Sequence, residues 1–277
     1  MRVRLTTCLN AALLFWVSAW VNAAPFGDLW SHWTSHAPGS TINVDHQLWQ
    51  GLLDKHLTIH SDGINRVDYR AFTVADKQQL DSYLGYLSNI APTQLNRRQQ
   101  LPYWINLYNA LTVKVVLQHP DKDSIKQMKS KLFSFGPWDD EQLSIEGLPV
   151  TLNDIEHRIL RPIWRDPRIH YAVNCASIGC PNLSVRAYTN DNTETLLQAA
   201  ERAYLRHSRG LEFDANGVLR LSSIFDWYQE DFGGDPRTLL EYLAEVRTDL
   251  REQLLTYSDS IEYHYDWSLN DHRATRD

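Results

Sequence analysis

Leu48, Trp49, Leu52, Leu53 and Leu57 recur at helical spacing, so this part of the chain predicts an amphipathic helix with one buried stripe. Ser61-Asp62-Gly63 then supplies turn residues. Val67 and Tyr69 alternate beyond it, and together these signals predict a hairpin. Thr73 can cap the next helix, whose buried stripe is Leu80, Tyr83, Leu84 and Leu87. Residues 102–117 are apolar nearly all round, which predicts a central helix enclosed by protein. A short helix is expected to begin at Thr151 or Asn153 and end near Arg161. Asp214-Ala215-Asn216-Gly217 marks a second hairpin turn, and Asp235-Pro236 opens a helix with a cap and a proline at its first position.

Two segments read as strands, and their period-two alternation assigns faces. In residues 261–270, Ile261, Tyr263, Tyr265, Trp267 and Leu269 share one face, and Glu262, His264, Asp266, Ser268 and Asn270 share the other. In residues 169–175, His170, Ala172 and Asn174 oppose Ile169, Tyr171, Val173 and Cys175. A regular strand would hold His170 and Cys175 on opposite faces, about 17 Å apart. They then cannot act as a pair. Helical and strand patterns alternate irregularly, without βαβ regularity, so the expected fold class is α+β. The expectation is a single domain over residues 44–277, with a central buried helix packed on a mainly antiparallel sheet. Residues 24–43, containing His36-Ala37-Pro38-Gly39-Ser40, read as an N-terminal linker.

The first residues change the setting. Arg2 and Arg4 precede an apolar run over residues 9–20, and Val21-Asn22-Ala23 fits a small-residue cleavage site, so residues 1–23 are expected to be a signal peptide. A run of about 12 apolar residues is shorter than the roughly 20 that span a bilayer. Cys8 precedes the run and is badly placed for acylation. The expected product is exported, periplasmic or secreted, with no transmembrane segment after cleavage. Cleavage removes two arginines and leaves 25 Lys+Arg against 34 Asp+Glu, a net charge of −9. That balance argues against nucleic acid or anionic lipid as a general partner.

Candidate chemistry gathers at a few positions. Asn106 and Asn109 are neighbours on the apolar helix; they either bond backbone and knit the core or face a cleft and orient a substrate amide or carboxylate. Glu156 and His157 are adjacent on a helix, about 100° apart, so one of them is expected in a site rather than both. Arg158, Arg161, Arg165 and Arg168 can pair with nearby acids, or Arg161 or Arg168 can hold a substrate carboxylate. His157, His170, Cys175 and Cys180 have zinc-ligand chemistry, but their spacing matches no ligand pair, and neither a metal nor any other cofactor is expected. The chain has no P-loop, dinucleotide fingerprint, HExxH or G-x-S-x-G. Cys175 and Cys180 are the two cysteines left after cleavage. Gly179 can turn the chain between them, and an oxidising compartment favours a Cys175–Cys180 disulfide.

Several blocks resemble one family. The runs Leu101-Pro102-Tyr103-Trp104-Ile105-Asn106-Leu107-Tyr108-Asn109, Ile155-Glu156-His157-Arg158, Asp166-Pro167-Arg168-Ile169-His170-Tyr171-Ala172-Val173-Asn174-Cys175-Ala176-Ser177, Trp227-Tyr228 with Asp231-Phe232, and Tyr265-Asp266-Trp267-Ser268-Leu269-Asn270 resemble the family catalogued as domain of unknown function 547. The resemblance covers about residues 67–270. Pro102 stands where the family pattern leads one to expect a small residue. The resemblance implies an exported or envelope-associated domain and no particular reaction.

Two functions follow as expectations. In the first, Cys175 attacks an amide or ester as the nucleophile of a hydrolase or acyl transferase, with His157 or His170 as base and Glu156 or Asp266 orienting it. Substrate binding would then fall to Asn106, Asn109, Arg161, Arg168 and Asn174, and the partner would be a small molecule or peptide-like ligand. Papain-like and transglutaminase-like enzymes share this fold class and chemistry. The second is a non-catalytic ligand-binding or scaffolding module of the envelope.

Overall fold

The computed structural model describes residues 27–129 and 136–273. The signal peptide expected over residues 1–23 lies outside them. The fold is mixed α+β, with helices dominant and sheets small.

Helix α1 (Gln47–His56) leads into the hairpin of β1 (Leu57–Ile59) and β2 (Asn65–Val67), antiparallel in register Leu57 to Val67. Helix α2 (Val74–Ser88) starts where Thr73 was expected to cap it. The Thr73 hydroxyl accepts from the Asp76 amide, and the Asp76 carboxylate accepts from the Thr73 amide in return. Leu80, Tyr83, Leu84 and Leu87 are all buried. Thr73→Ala is expected to lower stability by about 1 kcal/mol, the usual worth of an N-cap, and a urea midpoint unchanged from wild type would refute this.

Helix α3 (Arg97–Gln118) is the centre of the larger apolar cluster. It begins five residues before Pro102, where Asn96 and Gln99 form a capping box. Pro102 lies inside the helix rather than at its start, so the Arg98 carbonyl has no amide at the usual position. The expected packing of this helix on a sheet is not what forms. It packs against α2 and a π-helix (Asp154–Leu160), because strands of three or four residues offer too little apolar face to cover it.

The π-helix follows the hairpin of β3 (Leu143–Ile145) and β4 (Leu148–Val150) and runs directly into α4 (Arg161–Trp164). Next come α5 (Ile169–Ala172) and α6 (Thr193–Arg206). Strands β5 (Leu211–Phe213) and β6 (Leu219–Ser222) are antiparallel across the Asp214–Gly217 turn, but β7 (Glu262–His264) joins β6 in parallel. Helices α7 (Ile224–Trp227), α8 (Pro236–Val246) and α9 (Arg251–Thr256) lie between β6 and β7 in the chain. A second apolar cluster, including Tyr204, Phe225, Leu239 and Leu243, unites α6, α7, α8 and this sheet.

The expected linker behaves differently from Gly27 onward. Trp33 is buried edge-on against Trp104, and Asn96, Gln99 and Gln100 donate side-chain hydrogen bonds to the carbonyls of Ser40, Ile42 and Ser35. This stretch is a strap over α3. No helix among the described residues is long and apolar enough to cross a membrane.

Candidate functional site

The wide winding of the π-helix sets the first wall of the site. Thr151 and Asp154 fix its start through reciprocal side-chain bonds to each other's amides. Within it both Glu156 and His157 line the same cleft, although ordinary α-helical geometry would separate them. A single-turn insertion of this kind is a common device at functional sites.

Arg161 ties two acid–base groups together beneath the cleft. Its Nε donates to Asp231 Oδ2 at 2.5 Å, and the same oxygen lies 2.6 Å from His170 Nε2, which must donate because a carboxylate only accepts. Burial would raise Asp231, but the bonds from His170 and Arg161 prevail and hold it at about 2. The Arg161 Nη1 lies 3.1 Å from His157 Nδ1. A guanidinium cannot accept, so Nδ1 carries the lone pair and the His157 proton is on Nε2. Burial lowers the His157 pKa to about 4, so the ring is neutral at pH 7. Tyr228 completes this layer, stacked on His170 with centroids 4.3 Å apart and 4.8 Å from the Arg161 guanidinium carbon. Glu156, 7% exposed, has Oε1 3.7 Å from His170 Nδ1.

The cysteine loop forms the facing wall. Residues 169–172 make a helical turn, α5, initiated by the Asp166 carbonyl accepting from the Ile169 amide, so the strand expected over residues 169–175 does not form. His170 and Cys175 consequently line one cleft instead of opposite sheet faces. The Cys175 sulfur lies 2.9 Å from Cys180 Sγ, 3.1 Å from Tyr265 Oη and 3.2 Å from Ser177 Oγ. Both cysteines are free, so the expected disulfide is absent; the sulfurs meet as hydrogen-bonded thiols. The Cys180 thiol is the largest influence lowering the Cys175 pKa. Burial opposes it, and Ser177 and Tyr265 lower it further. Burial raises Cys180. No histidine nitrogen bonds the Cys175 sulfur among the described residues.

Ala176, the next residue, has φ +59°, a left-handed conformation that a non-glycine residue adopts only under constraint. The constraint is visible. Asn174 Oδ1 accepts from the Ala176 amide, and the Asn270 amide donates to the Ala176 carbonyl. Asn109 anchors the same loop from α3, accepting from the Asn174 amide and donating to the Ala172 carbonyl. Gly179 is required because a Cβ there would lie 2.8 Å from the Asp266 amide nitrogen.

Between the two walls is a cleft of ≈ 330 Å³ at the seam of the two apolar clusters. Its remaining lining is strongly aromatic, with Tyr108, Trp138, Trp227, Tyr228, Tyr265 and Trp267, and Lys126 over the Trp267 ring at 4.9 Å. Tyr265 and Trp267 belong to the segment expected as a strand. Only Glu262–His264 joins the sheet; the Asp266 side chain accepts from the Ser268 amide and bends the chain, and beyond it Leu269 forms an isolated antiparallel bridge with Ser177.

The other anticipated residues lie elsewhere. Asn106 does not reach the cleft; its amide closes both bonds with the Tyr188 backbone. Asn109 and Asn174 support the cysteine loop from behind rather than lining the cleft. Arg168 is at the surface with Asp166 and Glu194. Arg161 is buried beneath the site and occupied by Asp231 and His157. Among the described residues no group of three His, Cys, Asp or Glu side chains is disposed to hold a metal ion. Sequence reasoning missed Asp231 as the partner of His170, although Trp227-Tyr228 with Asp231-Phe232 stood among the recurring blocks. Ser177 and Trp227 were likewise visible only as motif members, Tyr265 and Trp267 as motif and strand-face members, and Trp138 carried no signal at all.

Residues 92–205 match the family described as Protein of unknown function, DUF547, in agreement with the resemblance read from the motifs. That segment contains α3, the π-helix, His170 and the cysteine loop; Asp231, Tyr265 and Trp267 lie beyond it. No curated protein and no solved structure matches the chain.

Proposed function

We propose that the protein is an exported cysteine-type enzyme that transfers or hydrolyses the acyl group of an amide or ester, with Cys175 as nucleophile. The observation that carries this reading is the Cys175 sulfur, in hydrogen-bond contact with Cys180, Tyr265 and Ser177 on a strained loop in the same cleft as the His170–Asp231 pair. A thiol acidified by its own loop does not require a direct histidine contact for activation. The thiolate adds to the carbonyl carbon, and the Nε2–H of neutral His157 is available to the oxygen that gains charge. His170, its Nε2–H held by Asp231, carries on Nδ1 the proton lost by the Cys175 thiol, gives it to the departing amine or alcohol, and then takes one back from the water or acceptor that cleaves the thioester. The aromatic lining suits a small molecule or peptide-like ligand with an apolar or planar portion.

Export would place this thiol pair among oxidants. Attack of the Cys175 thiolate on an external disulfide releases one thiol, and attack by Cys180 on the mixed disulfide releases the second, leaving Cys175 and Cys180 bridged. The reduced form is then the active one. A non-catalytic binding module is the second reading, favoured by the aromatic lining and by the lack of a histidine bonded to the Cys175 sulfur.

Acylation separates the two. Reduced protein incubated with p-nitrophenyl acetate is expected to retain an acetyl thioester on Cys175, found by peptide mass mapping, and pre-oxidation with a small disulfide should suppress it. Tyr265→Phe should move the pH midpoint of Cys175 alkylation upward by removing one donor. If Cys175 alkylates no faster than Cys180 and forms no thioester, the catalytic reading fails and the binding module stands.

A further inference from the structure

On another face of the molecule lies a pocket of ≈ 230 Å³ that the acyl-transfer reading does not use. Tyr69, Phe72 and Leu269 form part of its lining. The C-terminal segment is fastened beside it: Leu269 donates to the Asp123 carbonyl, His272 donates to the Val67 carbonyl, and Tyr69 Oη donates to Asn270 Oδ1 at 2.7 Å. The concavity is therefore a built feature of the fold and not a chance gap between side chains.

Its lining is cationic in a chain of net charge −7. Arg70, Lys77, Lys122 and Arg273 line it against one acid, Asp271, which Arg273 already neutralises. Asp68 and Asp123 act on Arg273 without lining the pocket. Arg70, Lys77 and Lys122 form no ion pair among the described residues. Surface lysines beside acids are ordinary; three unpaired cations around one concavity in an acidic protein repel each other and need another reason. Lys122, just beyond the α3 C-terminus, has a partial one in the helix dipole. Lys77 has the opposite problem, because it stands near the α2 N-terminus, where the dipole disfavours a cation. A bound anion resolves both strains.

We propose that this pocket binds a phosphate-type dianion, carried either by a soluble phosphomonoester or by a lipid headgroup. Arg70 presents a fork suited to two phosphate oxygens, and the two lysines add point charges. Isothermal titration with inorganic phosphate, against sodium chloride of matched ionic strength, is expected to give one saturable site. In the exposed-residue double variant Lys77→Gln/Lys122→Gln its affinity should fall about tenfold or more. Competition by glycerol phosphate assigns the soluble source. Retention on phosphatidic acid vesicles, absent with phosphatidylcholine and lost in the double variant, assigns the headgroup. Phosphate heats equal to the chloride control, or a double variant that binds phosphate like wild type, would overturn the proposal.

Discussion

Asn109→Ala is expected to lower folding stability by about 4 kcal/mol, a large effect for one uncharged side chain. The side chain is 2% exposed, and its amide completes two hydrogen bonds, from Nδ2 to the Ala172 carbonyl at 2.9 Å and from the Asn174 amide to Oδ1 at 2.8 Å. Truncation orphans a buried acceptor and a buried donor, each at about 1–3 kcal/mol, and leaves a void beside α3. The consequence extends to the site. Asn174 would lose one of the bonds that present its Oδ1 to Ala176, and the left-handed residue behind Cys175 would relax. Urea unfolding measures the stability, and alkylation rates of Cys175 and Cys180 report the loop. A loss below about 1 kcal/mol with unaltered Cys175 reactivity would show that the clamp is dispensable.

The same residue shows how far a sequence can be read. Residues 102–117 announced a buried helix, and a buried Asn must be satisfied, so the backbone-knitting alternative for Asn106 and Asn109 was legible from helix periodicity and hydrogen-bond accounting alone. What they bond was not. Ala172, Asn174 and Tyr188 are more than sixty residues away, and no local pattern encodes that pairing. Caps and turns at Thr73, Asp62-Gly63, Asp214–Gly217 and Asp235-Pro236 were legible because each acts within four residues.

The failures have equally local causes. A seven-residue stretch of mixed apolar and polar positions supports strand or helix almost equally well, and at residues 169–175 the Asp166-Pro167 turn decided for the helix. That decision placed His170 and Cys175 on one cleft. The assumption of 100° per residue separated Glu156 from His157 and failed where the chain winds as a π-helix. Asp231 was hidden for a different reason. It is an unremarkable surface-type residue until Arg161 and His170 arrive from 70 and 61 residues away.

Stability is expected to fall steeply on acidification, beginning near pH 6.5, well above the range in which carboxylates titrate. His157 and His46 are both buried, and burial lowers each from 6.5 to about 4 in the folded protein. Between those values the unfolded chain binds protons that the folded one refuses. Stability therefore rises with pH across this window and is lost as pH falls from 6.5 toward 4. Each histidine contributes about 3 kcal/mol to that loss by pH 4, as an order of magnitude. Asp231 extends it, because its folded value of about 2 lies below the ordinary aspartate value of 3.8, and its stabilisation disappears as pH falls from about 4 toward 2. For His157 burial is joined by a second cause: Arg161 occupies Nδ1, so a second ring proton can be accommodated only by breaking the bond that orients the ring. His46 has a different neighbour, with Nδ1 2.6 Å from Tyr83 Oη, and should act independently. Urea midpoints measured from pH 7.5 to 4 on wild type, His157→Gln and His46→Gln would test the assignment by slope rather than by absolute stability. Each variant should lose about 3 kcal/mol of the stability change between pH 6.5 and 4, whatever its stability at pH 7, with the remainder shared by His56, His60 and His264, which burial also lowers. A slope unchanged in both variants would place the acid sensitivity outside these two rings.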